Sequence, residues 1–236
     1  MKIWGYWTTL GWAVLAYVAG QIAATVVALW WQRGNLSSLL AAPYDGTLVA
    51  LSVLALNPVT VAMLLVAVRF AKADPVEYLA LIRPRARDVV FGVACLIALI
   101  ALTDALLYLS GTALVTQFQL QSYSTAAAEG WLPIMLFAAI IVAPAGEEIL
   151  FRGFMFRGFV RPERVAWPGI VATAVLFALP HVQYDWVGVL QIFVIGLFLG
   201  WIRWRSGSVL LTFLLHALFN LEGTFETLAQ VHFSAG

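Results

Sequence analysis

Charge is what this sequence has least of. Of 236 residues only 11% are charged and 63% are hydrophobic, where a soluble domain carries about 25% and roughly 45–50%. So little polar surface cannot cover a globule in water, which excludes a soluble enzyme and a disordered chain. The mean hydropathy of +0.93 agrees. Charge of one sign is also lacking. A net +1 offers no broad basic face for phosphates, so no nucleic-acid partner is expected. Cysteine is nearly absent: the single Cys95 excludes a disulfide framework and a Cys-rich metal site. Internal repeats, low-complexity tracts and a linker to a second domain are missing too. An all-α, polytopic membrane protein of one domain remains, in contact with lipid along most of its length.

A spanning helix needs about 20 mostly apolar residues. Thr8 to Trp31 is the first such segment. It is too long for a secretory h-region and has tryptophans at both ends, so it reads as an anchor rather than a cleaved signal. Thr47 to Val68 follows, interrupted by Asn57-Pro58, and then Val89 to Leu109, which contains Asp104. The fourth starts at Trp131, runs apolar to Ala145 and meets Glu147-Glu148. Val165 to Pro180, Val187 to Ile202 and Val209 to Leu221 complete seven spans, the last three short enough for one to be broken or re-entrant.

Basic residues test this count. Twelve of the thirteen Lys and Arg fall on alternate connections, with only Arg33 on the other side. Because cations accumulate on the cytoplasmic face, the expected placement is the plasma (inner) membrane with the N-terminus inside and the C-terminus outside. The loop from Gly111 to Gly130 has no Lys or Arg and falls outside. Asp74-Pro75-Val76-Glu77 signals a short surface helix from Pro75 to about Ile82. Residues 1–130 thus read as N-terminal membrane helices, 131–222 as a core and 223–236 as a short outer tail. Gly196 and Gly200 read as close helix packing within the chain.

Ionisable groups inside a bilayer cost a few kcal/mol or more each and are functional candidates by default. Here they are Asp104, Glu147-Glu148, His181, His216 and the amide Asn220. Glu147 and His181 are equidistant in sequence from the turn at residues 161–164, so each stands roughly 20–24 Å above it at about 1.5 Å per residue. His216 and Asn220 reach about 14 and 20 Å above the next turn. Four polar side chains from three helices therefore share a layer. Asp104 has a similar height, and its role is open between the cavity and a bond to a neighbouring helix.

Glu148 and Arg152, four apart with the acid first, form the favoured ion pair and support the helix. The bland account is a solvated salt bridge at a helix end. Glu147, about 100° away, is left without such a partner, and Pro144 and Gly146 loosen the backbone before it. Phe177 can wall His181, four residues on. A glutamate, two histidines and a carboxamide make a hydrolytic set. A water between Glu147 and His181 is deprotonated, and His216 and Asn220 donate to the oxyanion. The alternative is a zinc ion on His181, His216 and Glu147. With HExxH absent and an amide a poor zinc ligand, the metal-free form is favoured and no cofactor is expected.

Glu147 to Arg152 reads EExxxR, Phe177 to His181 reads FxxxH, and His216 to Asn220 reads HxxxN. In that order they resemble the CAAX protease and bacteriocin-processing (CPBP) family of intramembrane proteases, which includes the type II CAAX prenyl endopeptidases. The resemblance covers roughly residues 130–222. It implies Glu147 as the catalytic acid, His181 assisting it, His216 and Asn220 holding the oxyanion, and Glu148 and Arg152 in support. It also implies a peptide or lipidated protein as substrate, with glutamate and metal mechanisms both argued for the family. Pro180 departs from an expected leucine and puts the pose of His181 in question. The alternative function is a non-catalytic membrane scaffold or small transporter reusing the fold. The outer halves of the first two spans are nearly bare of polar groups, which disfavours a transport path.

Overall fold

The computed structural model describes residues 4–41, 44–160 and 165–233. These residues form helices and connecting turns, with no strand among them. In chain order the helices are α1 (Tyr6–Trp31), α2 (Leu36–Ala41), α3 (Gly46–Phe70), α4 (Pro75–Tyr78) and α5 (Ala86–Ser110). Then come α6 (Gln117–Ala128), α7 (Leu132–Phe159), α8 (Trp167–Ala178), α9 (Trp186–Ser206) and α10 (Val209–Phe233). Six of them, α1, α3, α5, α7, α9 and α10, are long and apolar enough to cross a membrane, and α8 is a shorter apolar helix. The protein is a polytopic helical bundle.

Several boundaries differ from the sequence reading. The fifth segment is only the 12-residue α8, about 18 Å at the α-helical rise and too short to cross unaided. It stops because Pro180 has no N–H to continue the ladder; the His181 N–H bonds back three residues to the Ala178 carbonyl. His181 therefore sits on a turn, beyond the helix. The last two spans are not short: α9 has 21 residues and α10 has 25. The expected tail from 223 is helical to Phe233, because the polar residues that end the apolar run face inward. Residues 161–164, where the sequence predicts a turn with Arg161 and Arg164, and the N-terminal Lys2 lie outside the described residues.

The expected outer loop, Gly111 to Gly130, contains α6. Thr116 and Gln119 form its capping box, each side chain bonding the other's backbone N–H. It is tied to α3 by Thr47 Oγ1 donating to Glu129 Oε2 at 2.6 Å and by the Gly46 N–H donating to Thr125 Oγ1 at 2.8 Å. The surface helix starts where expected, with Asp74 accepting from the Glu77 N–H at 3.0 Å. It ends at Tyr78 rather than Ile82, because Leu81 N–H returns to the Val76 carbonyl around Ala80, whose φ is 54°.

Small residues let helices approach closely where lipid supplies no hydrophobic drive. On α1, Ala16, Gly20, Ala24 and Ala28 are all buried at four-residue intervals. A Cβ on Gly20 would strike Thr60 and the Leu56 carbonyl of α3. Gly196 and Gly200 of α9 do the same against Ala174 and Ile170 of α8, so the GxxxG packs within the chain. α7 runs through the middle, carrying the buried Glu148, Arg152 and Phe154.

Gly20→Val is expected to lower stability by about 1–3 kcal/mol through overpacking. Gly11→Ala, where a Cβ meets nothing within 4 Å, is expected to leave the unfolding midpoint in detergent unchanged. Equal midpoints for both variants would refute close α1–α3 packing.

Candidate active site

α7 is not a plain α-helix. Two π segments, Ala138–Val142 and Ile149–Met155, flank Glu147-Glu148. The sequence cause is partly Pro144. The Ala143 N–H reaches back five residues to the Ala138 carbonyl. The next donor in that register would be residue 144, and proline has none. The Ala139 carbonyl accepts instead from Asn220 Nδ2, at 2.8 Å. The second π segment ends with the Phe156 N–H on the Phe151 carbonyl, five back, before Val160 bonds Phe156, four back. A change from five to four leaves one carbonyl without a helical donor. Arg152 O, the next along, accepts from Arg203 Nε at 2.9 Å.

Glu148 has no exposed surface, and Arg152 is 1% exposed. Their contact is 2.8 Å, so the pair expected from spacing forms, but inside the protein rather than in solvent. Arg152 also donates to the Gly196 carbonyl at 3.1 Å, and its guanidinium lies 4.3 Å from the centre of the Phe177 ring. Glu148 Oε1 is 2.9 Å from His216 Nδ1. A carboxylate only accepts, so that nitrogen carries the hydrogen.

The far nitrogen of His216 points at the other acid. His216 Nε2 is 3.8 Å from Glu147 Oε2, so Glu147 is not as isolated as its sequence position suggests. The gap is too long for a direct hydrogen bond and short enough for one water to bond both groups. Glu147 keeps a quarter of its side chain exposed. It shares a cavity of about 370 Å³ with His181, Phe177 and Phe151. His181 Nδ1 lies 2.9 Å from the Phe177 carbonyl, so it donates there and Nε2 is left for the cavity. Phe177 stands between the two histidines, with centroids 5.3 Å from His181 and 5.6 Å from His216.

Asn220 lies elsewhere. With one amide hydrogen on Ala139 O, it lines a neighbouring cavity of about 210 Å³ together with Asp104, Glu222, Glu226 and Tyr184. Phe118 and Val49 line both cavities. Asp104 thus faces the cavity beside Asn220. Burial, helped by the charge of Glu147, pushes the Tyr184 phenol up to about 12, so it stays a neutral hydroxyl. A zinc site on His181, His216 and Glu147 needs donors at about 2.0–2.2 Å from one point. Among the described residues these three donors do not all come within 4.8 Å of one another, although His216 and Glu147 do; the three acids Asp104, Glu222 and Glu226 all do. As arranged, the first set does not fit the ion.

Other polar residues at the site carry no motif. Asn57, Tyr17 and Gln21, from α3 and α1, line the Glu147 cavity. Asn57 is packed so tightly that a Cβ on Gly146 would collide with its amide. The one available signal was a polar residue interrupting an apolar span. Arg203 belongs by sequence to the cations on alternate connections, yet it is only 7% exposed.

Arg203→Met is expected to strand the Arg152 carbonyl and cost about 1–3 kcal/mol. The exposed Arg69→Met should cost nearly nothing. A thermal midpoint unaltered by Arg203→Met would show that the carbonyl finds another donor.

Residues 129–221 match the family model described as type II CAAX prenyl endopeptidase Rce1-like. An uncharacterized 24.3 kDa protein of Escherichia coli is 39% identical over 85 residues, which are 35% of this chain and 39% of that protein. UPF0177 protein YxdF of Lactococcus lactis subsp. lactis is 30% identical over 96 residues, 40% of this chain and 51% of that protein. The chain thus spans about half or less of the curated relatives it matches. No solved structure matches. The three motifs, and with them every side chain from Glu147 to Asn220 discussed above, lie in the segment that is similar to the Rce1-like type II CAAX prenyl endopeptidases.

Proposed function

We propose that the protein is an intramembrane endopeptidase in which Glu147 activates a water that attacks a peptide bond of a membrane-associated or lipidated protein. The observation that carries this reading is the 3.8 Å approach of His216 Nε2 to Glu147 Oε2, with the other face of His216 fixed on the buried Glu148–Arg152 pair. A water in that gap touches a carboxylate able to take its proton. His181 Nε2 faces the same cavity and orients the water or receives a proton in turn. As the water oxygen bonds to the carbonyl carbon, negative charge grows on the carbonyl oxygen. The donor assigned to it is a protonated His216 Nε2, while Asn220, which lines the neighbouring cavity, holds the Ala139 carbonyl of α7. Proton return to the leaving nitrogen breaks the C–N bond and restores Glu147. Glu148 and Arg152 hold His216 in place without touching substrate. The mechanism uses side chains alone.

The proposed setting is the plasma membrane, with the N-terminus cytoplasmic and the C-terminus outside. The clustering of Arg69, Lys72, Arg83, Arg85 and Arg87 between α3 and α5, and of Arg203 and Arg205 at the end of α9, supports that orientation.

Glu147→Gln is expected to leave insertion and the unfolding midpoint intact, because its carboxylate makes no direct hydrogen bond within the site. It should slow cleavage by roughly 10²-fold or more, the usual contribution of a general base. Quantitative proteomics of membranes holding wild-type or Glu147→Gln protein reads this out as peptides that fail to appear. Cleavage unaffected by the substitution would remove Glu147 from the reaction. A phenotype fully complemented by the variant, with no peptide changed, would favour the scaffold.

A further inference from the structure

Four arginines meet where three long helices end, far in sequence from the acidic site. Arg83 and Arg85 lie on the extended segment leading into α5, Arg87 in its first turn, and Arg205 in the last turn of α9. Together they line a recess of about 520 Å³. One acid, Asp88, lines it with them, 4.0 Å from Arg87. The net charge of +1 for the whole chain hides this local excess.

The recess is built on fixed backbone. Ser208 Oγ donates to the Ile82 carbonyl at 2.6 Å, and the Val209 N–H donates to the Ala80 carbonyl at 3.0 Å. These bonds clamp the segment before α5 onto the turn between α9 and α10. The Arg205 guanidinium is stacked on Phe91, 4.3 Å from the ring centre, which fixes its direction. Trp204, 56% exposed, lines the same recess. An exposed tryptophan at the end of a spanning helix marks the headgroup level. Val90 and Leu210, in the first turns of α5 and α10, present apolar surface just beyond it.

Guanidinium forks match the oxygens of a phosphate, and four of them against one carboxylate leave an uncompensated positive field in a concave site. We infer that this recess binds a phosphate group, that of an anionic membrane lipid, whose headgroup sits among Arg83, Arg85, Arg87 and Arg205 while its acyl chains lie along the apolar faces of α5 and α10. A diffuse basic surface would attract the same lipid without a site, and a soluble phosphate would satisfy the same forks. The test therefore separates location from total charge, and lipid from free phosphate.

The full chain, purified in detergent, is titrated with phosphatidylglycerol, with phosphatidylcholine and with inorganic phosphate, following the unfolding midpoint and bound lipid by native mass spectrometry. Phosphatidylglycerol is expected to raise the midpoint and to be retained one per chain, with the other two additives inactive. Arg83→Gln/Arg205→Gln should weaken phosphatidylglycerol binding roughly tenfold or more, given the usual contribution of each interfacial arginine. Arg69→Gln/Lys72→Gln, which removes the same charge from the end of α3, should change it less than about twofold. Equal loss in the two double variants, or loss in neither, overturns the site. A midpoint shift reproduced by inorganic phosphate alone overturns the lipid assignment. If the glutamine pair does not fold, Arg83→Lys/Arg205→Lys decides: it keeps the charge and loses the forks, so weaker binding supports the site and wild-type binding overturns it.

Discussion

A carboxylate with no exposed surface, held within a membrane-spanning helix, cannot remain charged unless other groups neutralise it on the spot. Glu148 is that group, and much of the protein is arranged around it. Arg152 supplies the opposite charge from one turn along α7, and His216 supplies a hydrogen from α10. Arg152 brings demands of its own, met by the Gly196 carbonyl on α9 and the Phe177 ring on α8. Four helices are thereby fixed around one ion pair. Breaking such a pair by removing one partner costs about 3–5 kcal/mol, because the survivor is left buried and unpaired. Glu147, next along the chain, points away from this network into a cavity and keeps partial contact with it. One acid of the doublet is tied into the ion-pair network, and the other borders the cavity.

The backbone of α7 makes a second demand. In hydrocarbon every carbonyl needs a donor, and a helix that returns from five-residue to four-residue register, or meets a proline while in the five-residue register, leaves one unserved. Pro144 frees the Ala139 carbonyl and Asn220 takes it; the second π segment frees the Arg152 carbonyl and Arg203 takes it. Two polar side chains that look costly in a membrane are thus supplements to a distorted helix. The distortion has a use. It turns Glu147 and Glu148 toward different neighbours and ties α9 and α10 to the stretch of α7 that bears both acids. Asn220 accordingly bonds the backbone of that stretch and also bears a free amide hydrogen.

Much of this was readable in the residues. The apolar runs gave six of the long helices, and the four-residue spacing of Glu148 and Arg152 gave their contact. Of the side chains in the EExxxR, FxxxH and HxxxN motifs, Glu147, Phe177 and His181 border one cavity and His216 approaches Glu147, whereas Asn220 lines the neighbouring cavity. What escaped has physical reasons. α6 is polar and carries no span signal, although Thr116 and Gln119 at capping-box spacing announce its start. The far end of α10 lies past the apolar run that stops at Leu221; Glu222 and Glu226 there meet Asp104 across a cavity. His181 was placed on a helix by its spacing from Phe177, and the contact with that ring survives even though Pro180 ends the helix first. The free Ala139 carbonyl and its donor Asn220 were out of reach, since they depend on which register the chain adopts before the proline.

The segment that matches the family does not make the cavity alone. Residues 129–221 supply Glu147, His181 and Phe177, while Asn57, Tyr17 and Gln21 come from α3 and α1. The contact between the two parts is tight where it matters. Gly146, beside the acids, has no room for a side chain because Asn57 occupies it, and Gly158, near the end of α7, is filled in the same way by Thr9. A wall packed to this tolerance transmits shape, because close-packed interiors resist displacement and do not flow around it. Changes on α1 or α3 would therefore alter the width and polarity of the cavity while the ion-pair network on α7 stayed in place. In this architecture the matched segment supplies the acid and imidazole side chains of the cavity, and the unmatched N-terminal helices shape what can lie beside them. The shape of the cavity is accordingly set from α1 and α3, and the Glu148–Arg152–His216 network from α7 and α10.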